Sequence, residues 1–418
     1  MAVSRPAPSL RINGVLNSVI SELGNLVQQR PGTLSLAQGM VSWSPPPAVE
    51  TAVREVMAEG PPSLHRYGNV AGDAELLAAV AHTLGHHHGL ELDHSSLLIT
   101  AGSNMAFSAI VQVLCDGPSA EPTEVILPLP YYFNHVMAIQ LAGGWPKVVD
   151  AGLIPDPDRL AAAITSRTRA IVTVSPNNPS GVVVPPAVLA AINALCEARG
   201  LLHICDEAYA LFSHGAQPAW SPGSTPGSSR HTVTLQTLSK AYGMAGWRVG
   251  YMAAPRDFAD ALVKVQDTVL ICPPRLVQRA ALAALEAGPD WCLPQIAKLA
   301  ERRMQLLGRV AEQQRLGLPV RLIGEPDGAF YALLVVQAQG SLGERIRRGG
   351  FTSEALMRQL VLDHRVATVA GESFGFDPKV NGLVLRLSYG LLSPSELDEA
   401  LSRLFDGVRA ILRQRSEQ

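Results

Sequence analysis

The sequence predicts an α/β protein built on a mainly parallel β-sheet that is covered by helices on both faces. Short apolar runs between residues 97 and 253 alternate with longer stretches of helical pattern. Short, fully apolar strands separated by helices are typical of a buried parallel sheet. The runs are Leu97–Thr100, Val125–Leu127, Ala170–Val174, Leu201–Cys205, Thr232–Leu235 and Val249–Ala253.

The pattern changes beyond about residue 285, where long helical stretches accompany only a few strands. We therefore expect a large domain over residues 47–285 and a smaller α+β domain over 286–418, to which the N-terminal segment 1–46 also belongs. Helices are predicted over 12–27, 47–59, 72–89, 289–316 and 352–364, with further strands at Gly328–Val336 and Leu383–Leu387. Segment 221–230 (SPGSTPGSSR) has the composition of a flexible surface loop.

The composition excludes several classes of function. The 418 residues carry a formal net charge of -2, so no charge excess indicates nucleic acid or a membrane surface as a partner. No apolar run approaches the roughly 18 residues of a membrane span, and the start MAVSRPAPSL lacks the apolar core of a signal peptide. The five cysteines are scattered without a CxxC pair, which favours a reducing compartment. We expect a cytoplasmic protein without a bound metal.

Residues that follow the strands are the first candidates for a site, because ligands bind beyond the carboxyl ends of parallel strands. Gly102, Ser103 and Asn104 follow the first run and begin a helix, where free amides, a hydroxyl and the helix dipole suit a phosphate. An ordinary helix N-cap is the alternative. Tyr132 follows the second run and could stack on a flat ring or simply pack in the core.

Polar residues also end the third and fourth runs. Asn178 lies in the turn Ser175–Gly181 (SPNNPSG), which either aims an amide at a ligand or serves only as a turn. Asp206 ends a buried strand and needs a partner, such as a pyridinium nitrogen, unless it caps a helix. The phenol of Tyr209 follows three residues later.

Lys240 lies between a buried strand and a glycine-rich segment, SKAYGMAGWRVG over Ser239–Gly250. Burial beside a cation lowers the pKa of a lysine and makes its amine nucleophilic, as Schiff-base formation requires. Arg248 could bind a phosphate through its planar fork, and the hydroxyls of Thr237 and Ser239 could add donors. Together, these strand ends supply the contacts that pyridoxal phosphate needs.

The sequence resembles the fold-type I pyridoxal phosphate enzymes of the class I/II aminotransferase family, of the aspartate aminotransferase type. The combination of SPNNPSG with SKAYGMAGWRVG is specific, and the similarity runs from about Leu34 to the C-terminus. Further matches are YGNVAG from Tyr67, GAFY from Gly328 and GESFG from Gly371. The resemblance implies a seven-stranded, mainly parallel sheet and a homodimer with shared active sites.

The resemblance also implies roles for the candidate residues. Lys240 would form the internal aldimine and then move the α-proton. Asp206 would pair with the pyridine nitrogen, supported by His135. The remaining cofactor contacts would come from Tyr132 on the ring, from Asn178 and Tyr209 at the ring oxygen, and from Gly102, Ser103, Asn104, Thr237, Ser239 and Arg248 at the phosphate.

The implied partners are an amino acid, a 2-oxo acid and a second copy of the chain. Arg386 would bind the substrate α-carboxylate with the backbone near Gly39, and Tyr67 would reach the phosphate of the partner subunit. An Arg fork is the natural receptor for a carboxylate. We expect the pocket walls to come from Met40–Ser44, Tyr131, Leu270–Arg275 and Tyr389, with Trp43 as an apolar wall.

Two basic features have competing interpretations. Arg275 could receive a second carboxylate, although a structural salt bridge is favoured. The run His86–His88, with His82 one turn earlier, has the i, i+4 spacing of a zinc site. No cysteine or acidic cluster accompanies it, and Gly85 and Gly89 indicate a solvated helix end instead.

Transamination of an L-amino acid is the favoured reaction. The same constellation also supports elimination, cyclisation or other lyase chemistry, because the pocket decides which bond breaks. A cofactor-keeping regulator is a third hypothesis. It is disfavoured because the enzyme pattern begins by about residue 34, leaving no room for a DNA-binding domain.

Overall fold

A computed structural model describes residues 7–117, 119, 121–215 and 219–414. Residues 1–6 of the predicted N-terminal segment and 415–418 of the predicted C-terminal domain lie outside the described residues. The strands in chain order are β1 (Leu34–Ser35), β2 (Ser95–Thr100), β3 (Glu124–Pro128), β4 (Trp145–Val149), β5 (Thr168–Val174), β6 (Leu202–Asp206), β7 (Thr232–Thr237), β8 (Gly250–Pro255), β9 (Val320–Leu322), β10 (Tyr331–Val336), β11 (Val366–Ala367), β12 (Val369–Ala370) and β13 (Leu383–Ser388).

Helices connect these strands, and several of them begin with proline in the first turn, where its missing N–H costs nothing. In chain order they are α1 (Leu10–Asn13), α2 (Val19–Gln28), α3 (Pro47–Glu59), α4 (Ala74–His82), α5 (Ser103–Leu114), α6 (Phe133–Leu141), α7 (Pro157–Ala163), α8 (Pro186–Arg199), α9 (Ala259–Leu270), α10 (Arg275–Arg315), α11 (Gly340–Arg347), α12 (Ser353–His364), α13 (Pro378–Asn381) and α14 (Pro394–Gln414).

The main sheet confirms the predicted α/β class. Its seven strands have the order β2-β8-β7-β6-β5-β3-β4, and β8 runs antiparallel to both of its neighbours while the remaining pairs are parallel. The six predicted runs all form strands. The seventh, β4, lies at an edge and is interrupted by Pro146 and Lys147, so it lacks the apolar run that marks a buried strand.

The register of the parallel strands aligns their carboxyl ends. Val174 of β5 pairs with Asp206 of β6, and Asp206 pairs with Leu235 of β7. β5, β6 and β7 are almost wholly buried, as expected for a sheet covered on both faces. The residues that follow these strands therefore meet at one edge of the sheet.

A second, antiparallel sheet has the order β12-β13-β10-β9. Its strands β10 and β13 pair so that Leu333 faces Arg386 and Tyr331 faces Ser388. The short strand β1 pairs in parallel with β11, so the segment after β1 is tied to the C-terminal part of the chain.

Three local expectations differ from the structure. Segment 221–230 forms short 3-10 turns with buried Ser221, Ser228 and Ser229, and the Ser221 hydroxyl donates to buried Glu207 at 2.6 Å. The predicted helix 72–89 divides into α4 and a π-helical turn over Thr83–His87. The helix predicted from residue 289 begins earlier, as part of α10, which is broken at Gly288 (φ 68°, ψ -179°).

Candidate active site

A cavity of about 320 Å³ lies at the carboxyl edge of the main sheet, between that sheet and the segments carrying Gly39, Tyr331 and Arg386. Most of the candidates from the sequence line its wall. They are Gly39, Ser103, Asn104, Tyr132, Asn178, Asp206, Tyr209, Thr237, Ser239, Lys240, Arg248 and Arg386. For the residues that follow the parallel strands, such as Asn178, Asp206 and Lys240, the convergence follows from the topology, because those strands deliver their following residues to this edge.

Lys240 directs its amine into the cavity from the turn after β7. Its Nζ donates to the backbone carbonyl of Gly39 at 2.7 Å. Burial, together with the charges of Arg386 and Arg248, lowers the pKa of Lys240 to about 8, against the opposing charge of Asp206. A substantial fraction of the amine is therefore neutral near pH 8, as a nucleophile or a base requires.

Asp206 lies at the end of β6 with its carboxylate fixed from two sides. Its Oδ2 is 3.0 Å from Nε2 of His135, and its Oδ1 accepts from the amide of Ala208 at 3.1 Å. His135 is buried on α6, where its ring packs against Phe107 at 4.1 Å between centroids. A buried carboxylate held in this way suits a cationic ring nitrogen.

Donors gather at the other end of the cavity, where α5 begins. Arg248 donates to Ser239 Oγ at 3.3 Å and to the carbonyl of Ala101 at 3.2 Å, and Thr237 donates to Ser239 at 2.8 Å. Gly102 has a φ of 82°, and a Cβ there would lie 2.6 Å from Nη2 of Arg248. A cradle that only glycine can form, beside an Arg and a helix N-terminus, fits a phosphate group.

Arg386 is a buried cation whose hydrogen bonds go to an amide and a carbonyl oxygen. Its Nη1 donates to Asn178 Oδ1 at 3.0 Å, and its Nη2 donates to the carbonyl of Ala37. The guanidinium carbon lies 4.7 Å from the ring centroid of Tyr331 and 5.2 Å from that of Phe374. Within the described residues no carboxylate forms an ion pair with it. An unpaired buried charge is costly, so this position calls for an anionic ligand.

Comparison with known proteins agrees with this chemistry. The model of the family described as aminotransferase class I and II matches residues 31–404. The chain belongs to this family. An aromatic aminotransferase of Arabidopsis thaliana is 30% identical over 415 residues, which cover 97% of each protein. The solved structure of an aspartate aminotransferase from Thermus thermophilus with maleate has a TM-score of 0.81 at 28% identity, covering 96% of this chain and 100% of that one.

A second solved structure, the aspartate aminotransferase from Rhizobium meliloti, has a TM-score of 0.83 at 25% identity and covers 97% of this chain and 99% of that one. The protein is thus a pyridoxal phosphate-dependent aminotransferase that acts on amino acids and 2-oxo acids. The fold-type I resemblance and the predicted cofactor are confirmed. The lyase or cyclase alternative is not favoured by any of these relatives.

Tyr331 is a site residue of this aminotransferase that sequence reasoning did not assign. Its hydroxyl lies 2.7 Å from the hydroxyl of Tyr209, and its ring lies over the Arg386 guanidinium. The ring also fills the space where a side chain at Gly39 would lie. The signal was present in GAFY at Gly328–Tyr331, but the motif alone does not show that β10 reaches the cavity.

Several predicted wall residues lie elsewhere in the aminotransferase. The Trp43 indole N–H donates to the carbonyl of Ala241 at 2.9 Å and its ring packs on Phe212, so it does not line the cavity. Tyr67, which the resemblance assigns to the partner subunit's phosphate, is 81% exposed and lies outside the wall of its own cavity. Of the predicted pocket segments, only Met40 reaches the cavity, and Ile20 and Phe133 supply the apolar wall instead. Tyr131, Leu270–Arg275 and Tyr389 do not contribute to it.

Arg275 forms a salt bridge with Asp73 at 3.5 Å, which is the structural interpretation favoured by its sequence context. The histidine run lies at the π-helical turn, where the rings of His82, His86 and His87 are 5.0 to 6.0 Å apart and exposed. No group of three or more His, Cys, Asp or Glu residues in the described ranges is arranged to hold a metal ion. Nor does any described helix have the length and apolar character of a membrane span.

Proposed function

We propose that Lys240 is the catalytic amine of this aminotransferase and that the cavity around it holds pyridoxal phosphate. The observation that carries the proposal is the position of a lysine with a pKa near 8 between the buried Asp206–His135 pair and the donors around Arg248. When bound there, the cofactor supplies the electron sink that weakens bonds at the substrate α-carbon.

Each end of the cavity fits one part of the cofactor. Asp206, oriented by His135, would keep the ring nitrogen protonated, and Tyr132 would stack on the ring. Asn178 and Tyr209 would donate to the ring oxygen. The phosphate would lie at the N-terminus of α5, held by Gly102, Ser103, Asn104, Thr237, Ser239 and Arg248.

The substrate α-carboxylate is expected to bind Arg386, which has no anionic partner in the described part of the chain. Gly39 would add its backbone to the substrate site, because its carbonyl already contacts the Lys240 amine at 2.7 Å. With the substrate held in this way, the neutral Lys240 amine would take the proton from the α-carbon and deliver it to the carbon on the other side of the amino nitrogen, two bonds away. Exclusion of water by Tyr331 and Phe374 would strengthen the Arg386–carboxylate contact.

A covalent-labelling experiment tests the role of Lys240 directly. Borohydride reduction of the enzyme with pyridoxal phosphate, followed by peptide mass mapping, should find the label on Lys240. The exposed Lys264 on α9 serves as a control, because Lys264→Ala should leave both the label and the turnover unchanged. Lys240→Ala should lose both, and full turnover of Lys240→Ala would contradict the proposal.

Product analysis separates transamination from the lyase alternative. A single turnover with an L-amino acid should yield one 2-oxo acid and one pyridoxamine phosphate per active site, without free ammonia. Release of ammonia with the cofactor left in its pyridoxal form would instead indicate elimination.

We further propose a homodimer in which Tyr67 of the partner subunit reaches the phosphate. The support is the exposure of Tyr67 on the loop before α4, outside its own cavity. Mixing and refolding the inactive variants Lys240→Ala and Tyr67→Ala tests the sharing. A shared site predicts regained activity in the hybrid dimer, because one of its two sites then carries neither change. Absence of any gain would contradict shared sites.

The remaining assignments concern the location and the domains. A cytoplasmic location is supported by the cysteines at 115, 196, 205, 272 and 292, which are all unpaired. We also propose the division of the chain into an N-terminal segment 1–46, a large domain 47–285 and a small domain 286–418. The β1–β11 pair joins the N-terminal segment to the C-terminal domain, and the break of α10 at Gly288 lies close to the boundary between the two domains. We propose that no metal takes part, since His82, His86 and His87 are exposed at the end of α4 without an acidic or cysteine cluster among the described residues.

A further inference from the structure

We infer that the substrate side chain of this aminotransferase is apolar, such as that of phenylalanine, leucine or methionine, rather than one carrying a second carboxylate. The inference rests on the proposed site and goes beyond it by naming the substrate class. It depends on two observations: every described cation of this chain that lines the cavity already has a proposed role, and aromatic rings pack beside Arg386.

The cations in the wall are Lys240, Arg248 and Arg386, and among the described residues no other Lys or Arg lines the cavity. Arg248 faces Ser239 and the N-terminus of α5, where the phosphate is proposed to lie. Arg386 awaits the α-carboxylate, and Lys240 must be neutral to act as a base. None of the three remains for a second carboxylate.

Aromatic rings pack on one side of Arg386. Phe374 lies 5.2 Å from the Arg386 guanidinium, and Phe133 lies 5.8 Å from Phe374, measured between ring centroids. Phe133 lines the cavity itself, so these packed rings connect the surroundings of Arg386 with the cavity wall. Ile20 of α2 and the 40% exposed Met40 complete the apolar lining.

Arg275 is the cation that the sequence offered for a second carboxylate. It is engaged by Asp73 at 3.5 Å, and its side-chain carbons pack close to Gly68. A substrate carboxylate would have to displace Asp73 and leave that carboxylate without its partner. The same pairing holds for a copy of Arg275 contributed by a second subunit.

A dicarboxylate would therefore bring a charge into the cavity that no described cation of this chain is free to neutralise. Burial of an unpaired carboxylate is far more costly than the gain from filling an apolar pocket. We expect at least a tenfold preference for apolar side chains in both substrate binding and the first half-reaction.

Binding to the intact holoenzyme tests this without turnover. Isothermal titration calorimetry with 3-phenylpropanoate and with succinate compares an apolar with an anionic side chain on one shared carboxylate. The expected dissociation constant is at least tenfold lower for 3-phenylpropanoate. Equal or tighter binding of succinate would overturn the inference.

Single-turnover kinetics with phenylalanine, leucine, methionine, aspartate and glutamate give the second readout. Faster conversion of the apolar amino acids supports the inference, and faster conversion of aspartate or glutamate overturns it. If none of the five forms pyridoxamine phosphate, the proposed function itself fails, which is a distinguishable result.

A gain-of-charge variant completes the test. Met40→Arg places a cation at the cavity mouth, and should improve succinate binding at least tenfold while weakening that of 3-phenylpropanoate. The matched control is Met57→Arg, which adds the same charge at a 54% exposed position on α3 outside the wall. Met57→Arg should leave both affinities unchanged. An equal shift in the two variants would show that the effect is long-range and would contradict the assigned wall.

Discussion

Replacement of Gly102 by alanine is expected to weaken cofactor binding through Arg248. Gly102 adopts φ 82° and ψ 169°, a region that is essentially restricted to glycine. A Cβ there would lie 2.6 Å from Arg248 Nη2, so the guanidinium must move by roughly 1 Å to restore ordinary contact. A displacement of that size is enough to break a charge-assisted hydrogen bond to the phosphate, which contributes about 1.5–3 kcal/mol.

The expected consequence is a rise of about 10- to 100-fold in the dissociation constant of pyridoxal phosphate. The backbone strain adds about 1–3 kcal/mol of lost stability, which must be separated from the effect on binding. Gly288 offers the control, because it has nearly the same backbone conformation (φ 68°, ψ -179°) and no atom within 4 Å of its added Cβ.

The assay is a titration of the apo form of each variant with pyridoxal phosphate, followed by absorbance, together with urea unfolding. Gly102→Ala and Gly288→Ala should lose comparable stability, but only Gly102→Ala should bind the cofactor more weakly. If both variants bind pyridoxal phosphate as tightly as the unmodified protein, the phosphate does not lie against Gly102 and Arg248, and the assignment is wrong.

Three further predictions concern buried polar groups. Burial raises the pKa of Glu207 to about 8 from its ordinary 4.5, so the native state keeps a proton that the unfolded chain releases. The unfolding free energy from urea titrations should therefore fall as the pH rises from about 5 to 9, and Glu207→Gln should reduce that fall; an unchanged pH profile would contradict it. His135→Leu removes the 3.0 Å contact to Asp206 and should weaken cofactor binding about tenfold. Absorbance titration with pyridoxal phosphate measures this affinity, and an unaltered value would show that Asp206 needs no support from His135. Tyr331→Phe leaves the buried Tyr209 hydroxyl without its 2.7 Å partner and should lower the unfolding free energy by about 1 kcal/mol; a variant as stable as the unmodified protein would argue against this bond.

The sequence was sufficient to predict the half of the site that the main sheet supplies. Asn178, Asp206 and Lys240 each follow an apolar run, and parallel strands bring their carboxyl ends to one edge whatever the details of packing. In this case the local sequence pattern and a general rule of sheet topology are together enough to predict that these residues lie close in space. The resemblance implies that Gly102 and Arg248 both contact the phosphate, and a Cβ at Gly102 would lie against the Arg248 guanidinium.

The other half depends on contacts between distant parts of the chain, which local pattern does not encode. The amphipathic pattern of α2 indicates that one face is buried, but only the fold shows that Ile20 reaches the cavity. Trp43 fails as a wall residue because its indole N–H finds the carbonyl of Ala241 instead. Ser221 is buried in a segment of loop composition because the buried carboxyl of Glu207 requires a donor.

The backbone around Gly39 connects the half of the candidate site supplied by the main sheet with the half supplied by the rest of the chain. Its carbonyl accepts from the Lys240 amine at 2.7 Å, and its missing side chain makes room for the Tyr331 hydroxyl. Two residues earlier, the carbonyl of Ala37 accepts from Arg386. The segment after β1 therefore contacts both the proposed base and the proposed carboxylate receptor, and it is tied to β11 by the β1–β11 pair. One stretch of backbone contacts both Lys240 and Arg386. A displacement of this segment would therefore move the proposed base and the proposed carboxylate receptor together.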